Sequence, residues 1–533
     1  MPPGSNLSVW GRFDDLVAGT AQAFERPSRL LTALTPDDVV PVLAEVDRAT
    51  RGGCWAFGYV AYEAAAGLDP RWAGLPLPPE LPLVQFGLCA APRDVPPIVP
   101  PPGRARGYAL GPWRRDWTEP AYRADVARVR EHIAAGETYQ LNLTVRMDAE
   151  VRGDLEQFYA DLAWAQRGRH AAYLDLGRHV VASASPELFV EWTDDLLRTR
   201  PMKGTAPRGR TPAEDAVLRE QLLGSEKERA ENLMIVDLLR NDLGRIAEVG
   251  SVDVPALFSS ERYETVWQLT SDVTARPRPG TSLVDVFRAL FPSGSVTGAP
   301  KDRSIELIRA LEPRPRGVYC GAVGVVAPPG QAFRARFNVA IRTVTVDRAT
   351  GVAEFGTGGG ITWGSDPAAE HAELLAKAAI LAEPYEEFDL LETMAHLPGS
   401  GLRNRDRHLD RLADSAAYFG FPFDRATVAT ALTDAVRGAG AARVRLSLHR
   451  DASVDVVLAP LPPPRPVPCA GPSTPSRWTT ARSGCGTRPP GATSTPIAPR
   501  ATRGRRRRPG RPAACPASSA AGWSRPESSA SAT

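Results

Sequence analysis

Between Thr118 and Arg146 the chain changes its hydrophobic period from that of a helix to that of a strand, and this sets the kind of fold it can adopt. Thr118 suits an N-cap and Pro120 a first turn. Tyr122, Val126, Val129 and Ile133 then recur at helical spacing, and Gly136 ends the run. From Tyr139 the period becomes two: Tyr139, Leu141, Leu143 and Val145 share one face, while Gln140, Asn142, Thr144 and Arg146 share the other. A helix feeding straight into such a strand is the pattern of a mixed α/β fold. The strand's polar face is either solvated or lines a cleft, and in a cleft Gln140 and Asn142 point at a ligand.

With 533 residues the chain exceeds one core, so two or more domains are expected. Gly58 to Glu63 reads as a buried strand running into a polar end. Val95 to Gly103 is a stiff proline-rich connector, expected to join an N-terminal subdomain (1–105) to a larger catalytic region (106–385). Charge is unevenly spread. Twelve arginines and one acid, Glu527, place +11 in residues 464–533, which leaves −8 of the total +3 in residues 1–463. The body is therefore mildly acidic, and nothing in it suggests a nucleic-acid surface. Met1 to Trp10 lacks a basic region followed by an apolar stretch, and no apolar run reaches about 18 residues, so neither a signal peptide nor a membrane span is expected. Cys54, Cys89, Cys320, Cys469, Cys485 and Cys515 show no pairing or metal spacing, as expected of reduced thiols in the cytoplasm.

Chemistry is expected where charged side chains meet permissive backbone. Arg200 to Gly209 carries Lys203 between a strand-like segment (Glu187 to Trp192, then Leu196 to Thr199) and a loop rich in Pro and Gly. Such a lysine is either a solvated charge or a positioned ammonium, nucleophilic once desolvated. From Glu214 to about Ile246 runs a helical stretch with few breakers, in which Glu228 and Glu231 lie on one face. Glu370 and Glu373 repeat the spacing at the start of a helix over 367–381. Each pair alone is either a solvated face or half of a site. Two such pairs, with no His or Cys cluster, fit a hard oxygen-ligated cation such as Mg²⁺. Phe291 to Lys301 is small, polar and flexible and runs into a helix over 302–311, which is either an anion site or an ordinary capped turn. Arg336 to Val346 alternates as a strand carrying Arg342. Gly356 to Gly360 allows close approach of backbone to a ligand, without the βαβ context of a dinucleotide site.

In this order, Tyr139-Gln140-Leu141-Asn142, Ser183-Ala184-Ser185-Pro186-Glu187, the Lys203 loop, Glu231 to Leu238, Gly298-Ala299-Pro300-Lys301 and the Gly-rich strand before Glu370 and Glu373 resemble the chorismate-utilising enzymes over roughly residues 12–385. The resemblance implies an α/β (α+β) domain of stacked antiparallel sheets flanked by helices, with the active site in the cleft. It implies Glu187 as general acid, Lys203 as nucleophile, and Mg²⁺ held by Glu231 and Glu373 with Glu228 and Glu370 close by. It places Tyr319 and Arg342 on the substrate's enolpyruvyl carboxylate, with Thr205, Ser295, Gly358, Gly359 and Gly360 as further contacts. Lys301 is either ionic to substrate or structural. Within the family, anthranilate synthases carry alanine at the position of Lys203, and water-adding isochorismate synthases carry lysine at that of Gln140. The pattern points to the aminodeoxychorismate synthases, which serve p-aminobenzoate formation for folate or antibiotics. Synthesis of anthranilate or 2-amino-2-deoxyisochorismate is the alternative, and a non-catalytic chorismate-binding subunit is the reading from another class. Gln268 stands where the anthranilate motif has histidine. No segment reads as a glutamine amidotransferase, so a separate glutaminase partner is expected to supply ammonia.

Glu387 to Met394, Arg407 to Leu412 and Tyr418-Phe419-Gly420 resemble the start of aminodeoxychorismate lyase, a pyridoxal-phosphate enzyme of the branched-chain aminotransferase type, over 386–463. No lysine follows Lys377, so neither a working pyridoxal-phosphate site nor lyase activity is expected. Residues 464–533 are Pro, Arg, Ser, Ala and Gly with almost no apolar periodicity, and cannot bury a core. They are expected to be a disordered tail, either out-of-frame sequence or an Arg-rich segment that binds something acidic.

Overall fold

The period-two segment forms one long strand, Gln140–Gly153, and the rest of its sheet is assembled on it. The computed structural model describes residues 9–100, 106–264, 266–381 and 388–462. Among these, two large antiparallel sheets of eleven and ten strands carry the fold. In the first, Gln140–Gly153 pairs with Val352–Thr362, a register that sets Gly360 opposite Asn142 and Thr362 opposite Gln140. In the second, Val266–Ala275 pairs with Leu197–Arg200 at one end and with Met202–Pro207 at the other. Phe24, Leu174 and Val181 of the first sheet pack with Phe57, Tyr59 and Val323 of the second, so the sheets bury a common interior. Helices Pro36–Arg51, Glu226–Gly244 and Leu283–Leu290 cover the far face of the second sheet through Leu43, Ile235, Leu239 and Phe287. Leu155–Gln166 covers the first, and Glu119–Ala134, Lys301–Leu311 and Pro367–Ala378 close it around Leu141, Leu143 and Ile361. Strands apolar on both faces are what such double covering requires.

Several expectations change. Trp10–Asp15 and Thr20–Glu25 extend the first sheet beside His170–Asp175, while Trp55–Val60 and Val84–Cys89 extend the second beside Ala322–Val326. The segment expected as an N-terminal subdomain, 1–105, therefore shares both sheets with the catalytic region. The Lys203 stretch is an edge strand rather than a loop. The helical stretch over 214–246 is two helices, Pro212–Gly224 and Glu226–Gly244. They are broken at Ser225, whose hydroxyl accepts from the Glu228 N–H as an N-cap. The expected strand over 336–346 is two strands in different sheets, Ala335–Val339 and Thr343–Asp347. The chain crosses between them at Arg342, held at φ 52°. Both halves alternate, so periodicity alone does not reveal the crossing.

Leu390–Leu397, helices Arg405–Phe419 and Arg425–Ala435, and the hairpin Ala442–Leu448 with Val454–Pro460 form a smaller sheet-and-helix unit. Leu390, Met394, Leu409, Leu412, Leu432, Val444 and Leu446 are its core. The expected tail over 464–533 lies outside the described residues. Cys54, Cys89 and Cys320 are free thiols. No helix among the described residues is long and apolar enough to cross a membrane.

Candidate active site

A cavity of about 150 Å³ takes its walls from both sheets. Asn142 and Gly356 to Gly360 come from the first sheet; Glu187, Met202 to Thr205 and Gln268 come from the second. The helix Glu226–Gly244 adds Glu228 and Glu231, and the helix Pro367–Ala378 adds Glu370 and Glu373. Ser295, Tyr319 and Arg342 complete the lining. Every residue expected at the site from the sequence is brought together here except Lys301 and Gln140, the latter fully buried beside Gly360 and off the cavity wall that its strand neighbour Asn142 reaches.

Lys203 enters from the edge strand and donates to the Ser295 carbonyl at 3.0 Å. Gly360 makes room for it: a Cβ there would lie 2.3 Å from Gln140 Nε2 and 3.1 Å from Lys203 Nζ. Burial lowers the Lys203 pKa, and the nearby Lys377 charge acts in the same direction. The carboxylates of Glu187, Glu231 and Glu373 oppose it. Glu187 is 3% exposed, and burial pushes its carboxyl up to about 7 despite a hydrogen bond from Ser295 and the charge of Lys203. The pair thus comprises an ammonium biased toward losing its proton and a carboxyl biased toward keeping one. Those are the states that nucleophilic and general-acid chemistry need near neutral pH.

The four glutamates form the acidic wall. Burial raises the pKa of Glu228, Glu231 and Glu370, and neighbouring carboxylates, Glu373 in each case, add to it. Among the described residues no three of them converge as metal ligands. Lysines balance them instead. Lys227 lies 3.8 Å from Glu231 and 4.0 Å from Glu228, while Lys377 lies 2.8 Å from Glu373 and donates to the Gly358 carbonyl at 2.8 Å. As a donor set, four carboxylates with no soft ligand fit a hard divalent cation.

On the opposite side Arg342 donates to Gln166 Oε1 at 2.9 Å, and Tyr319 packs its ring 4.9 Å from the Arg146 guanidinium. Gly356 is required beneath that ring, where a Cβ would come within 2.2 Å of Tyr319 Cδ1. Thr205 Oγ1 accepts from Gln268 Nε2 at 2.9 Å, and the Ser295 and Ser293 hydroxyls are 3.0 Å apart.

Lys301 is a correction. Its Nζ is paired with Asp242 at 2.7 Å and donates to the Leu290 carbonyl at 3.1 Å, and it does not line the cavity. Of the two readings open in the sequence it takes the structural one, because a buried ammonium needs its counter-ion inside the protein. Asp242→Ala strands that charge and is expected to destabilise the fold by about 3–5 kcal/mol in denaturant titration. Turnover per folded molecule should stay unchanged.

Lys227, Lys377, Met202 and Ile341 also line the cavity and were not anticipated. Two signals were available for the lysines. Lys227–Glu231 and Glu373–Lys377 are i,i+4 pairs. The chain also has only four lysines, Lys203, Lys227, Lys301 and Lys377, and three of them line this one cavity.

Residues 98–383 match the family described as chorismate binding enzyme, and residues 389–481 match amino-transferase class IV. Over 387 residues, 71% of this chain, the sequence is 44% identical to anthranilate synthase component 1 of Streptomyces coelicolor. Over 265 residues, 50% of this chain, it is 41% identical to aminodeoxychorismate synthase component 1 of Klebsiella aerogenes. The chain spans 66% and 58% of the lengths of those two relatives. Among solved structures, anthranilate synthase component I from Streptococcus pneumoniae TIGR4 is similar with a TM-score of 0.57 at 25% identity, covering 72% of this chain and 93% of that one.

Proposed function

The chain belongs to the chorismate binding enzymes, and on that premise we propose that it aminates chorismate at C4, as an aminodeoxychorismate synthase component. The observation that carries this reading is Lys203, enclosed in the cavity beside Glu187 with its pKa lowered by burial. In the resembling anthranilate synthases that position is alanine. Lys203 Nζ attacks ring carbon C2, the double bonds shift, and the C4–O bond breaks. Glu187 protonates the departing hydroxyl, which leaves as water. Ammonia then attacks C4, the C2–N bond breaks, and Lys203 is regenerated. Arg342 and Tyr319 are assigned to the enolpyruvyl carboxylate, an Arg fork being its natural partner. Thr205, Ser295 and the Gly358 to Gly360 backbone supply further hydrogen bonds.

Glu231 and Glu373, with Glu228 and Glu370 beside them, are assigned to Mg²⁺, which when bound would neutralise the ring carboxylate and polarise the site. Chelation by EDTA is expected to remove turnover, and added Mg²⁺ to restore it. In the free protein, Mg²⁺ should also quench the acidic wall's repulsion and raise the melting temperature, an effect that Glu231→Gln with Glu373→Gln abolishes.

Ammonia is assigned to a separate glutaminase chain. The segment matching amino-transferase class IV, residues 389–481, contains no lysine. One observation favours a second reading, anthranilate synthesis: the relative with the longer alignment bears that name. Against it stand Lys203 and Gln268, the latter occupied with Thr205 where the anthranilate motif has histidine. Mass spectrometry of the reaction with chorismate, Mg²⁺ and ammonium salt separates them. An enolpyruvyl-retaining amine supports amination at C4; fluorescent anthranilate refutes it.

A further inference from the structure

The aminotransferase-like unit lies against the catalytic region where the Lys203 strand ends. That strand, Met202–Pro207, is the terminal strand of its sheet; among the described residues its one strand partner is Val266–Ala275. An edge strand held on one side is poorly fixed unless something else anchors it. The next residue, Arg208, is such an anchor. Its side chain is 7% exposed and forks onto Asp215 with two bonds of 2.8 Å. It also donates to the Tyr263 carbonyl at 3.0 Å and to the Tyr418 carbonyl at 2.9 Å. The guanidinium lies 4.5 Å from the Tyr418 ring centroid and 5.3 Å from that of Trp267. Tyr418 in turn donates its hydroxyl to the Gly209 carbonyl at 2.5 Å.

The contact is made at the C-terminal end of the helix Arg405–Phe419, where backbone carbonyls have no helical donor and the helix dipole is negative. Arg262 donates to the carbonyls of Ala417 and Tyr418 there, so two arginines of the catalytic region cap the same helix end. Nearby, Arg450 lies over the Phe421 and Phe388 rings, 4.0 Å from Glu264. A unit that was only tethered would not share a buried guanidinium with its neighbour.

We infer that residues 388–462 act as an in-chain clamp on the Lys203 strand, with Tyr418 as a positioning residue. By holding Arg208 and Gly209, Tyr418 fixes the strand from which Lys203 and Thr205 enter the cavity. It touches no substrate and acts through the backbone, about 16 Å away along five extended residues. The inference rests on the proposed role of Lys203.

In the full chain, Tyr418→Ala is expected to lower kcat with ammonium salt about tenfold, misplacement rather than lost binding being the cause, so the chorismate KM should move by less than about twofold. Tyr418→Phe keeps the ring under Arg208 and should recover most of kcat. Arg262→Gln removes the second cap and should reproduce the loss. Hydrogen exchange needs no substrate: amides across residues 202–209 should exchange faster in Tyr418→Ala and Arg262→Gln, with residues 352–362 unaltered. Wild-type kcat and exchange in both variants overturn the clamp, as does a loss of melting temperature with kcat intact. If Lys203→Ala retains full turnover, the functional reading fails instead, while the exchange measurement still decides the clamp.

Discussion

Alanine at position 203 is expected to lower chorismate amination by about a thousandfold or more, with little change in KM. The expectation follows from chemistry that nothing else at the site can perform. Among groups lining the cavity, Lys227 and Lys377 are engaged with glutamates, whereas Lys203 has a backbone carbonyl as its hydrogen-bond acceptor. Lys203→Arg separates a nucleophile from a charge. Arginine keeps the positive charge but cannot lose its proton, so it should be as inactive as alanine. Intact-mass measurement of wild type with chorismate and no ammonia should reveal a substrate-derived adduct that both variants lack. Near-normal turnover in Lys203→Arg would reduce Lys203 to an electrostatic contact.

Glu187→Gln should cost about a hundred- to ten-thousandfold, the range of a positioned general acid. Its pH dependence is the sharper test. Burial pushes the Glu187 carboxyl up to about 7. An acid must be protonated to act, so kcat should fall as pH rises through about 7 when free ammonia is held constant. In Glu187→Gln that limb should vanish. Stability follows the same sign: a pKa raised above the unfolded value favours the folded state at low pH and loses that contribution as pH rises through the folded value. Glu187→Gln should therefore be neutral or stabilising above pH 7, even as activity collapses. A variant that keeps the alkaline limb would remove Glu187 from the role.

Much of the site was legible along the chain because chemistry is carried by residue type and local spacing. Glu228 with Glu231, Glu370 with Glu373, and Lys203 beside Gly204 are each short-range patterns. So was the helix from Thr118, whose hydroxyl does cap it by accepting from the Ala121 N–H. The crossing at Arg342 and the role of Lys301 share one cause. Arg342 reads as mid-strand because the residues on both sides alternate, although the chain there passes from one sheet to the other. Lys301 stays open between a site cation and a structural one because it opens a helix after a glycine loop, while its partner Asp242 is 59 positions away in sequence. The helix break at Ser225 was locally readable, since Gly224-Ser225 is a breaker followed by a good N-cap.

What the amino-acid order determined by itself was part of the inventory: the helix from Thr118, the long strand that follows it, and Lys203 with the two glutamate pairs that can carry the chemistry. What only the tertiary structure decided was their convergence. Strands hundreds of residues apart pair into two sheets, and the interior between them removes water from Lys203 and Glu187. Desolvation is a property of everything packed around a group, so no local pattern encodes it. That is also why the proton affinities of these two side chains, on which the proposed reaction depends, emerge with the fold and not before it.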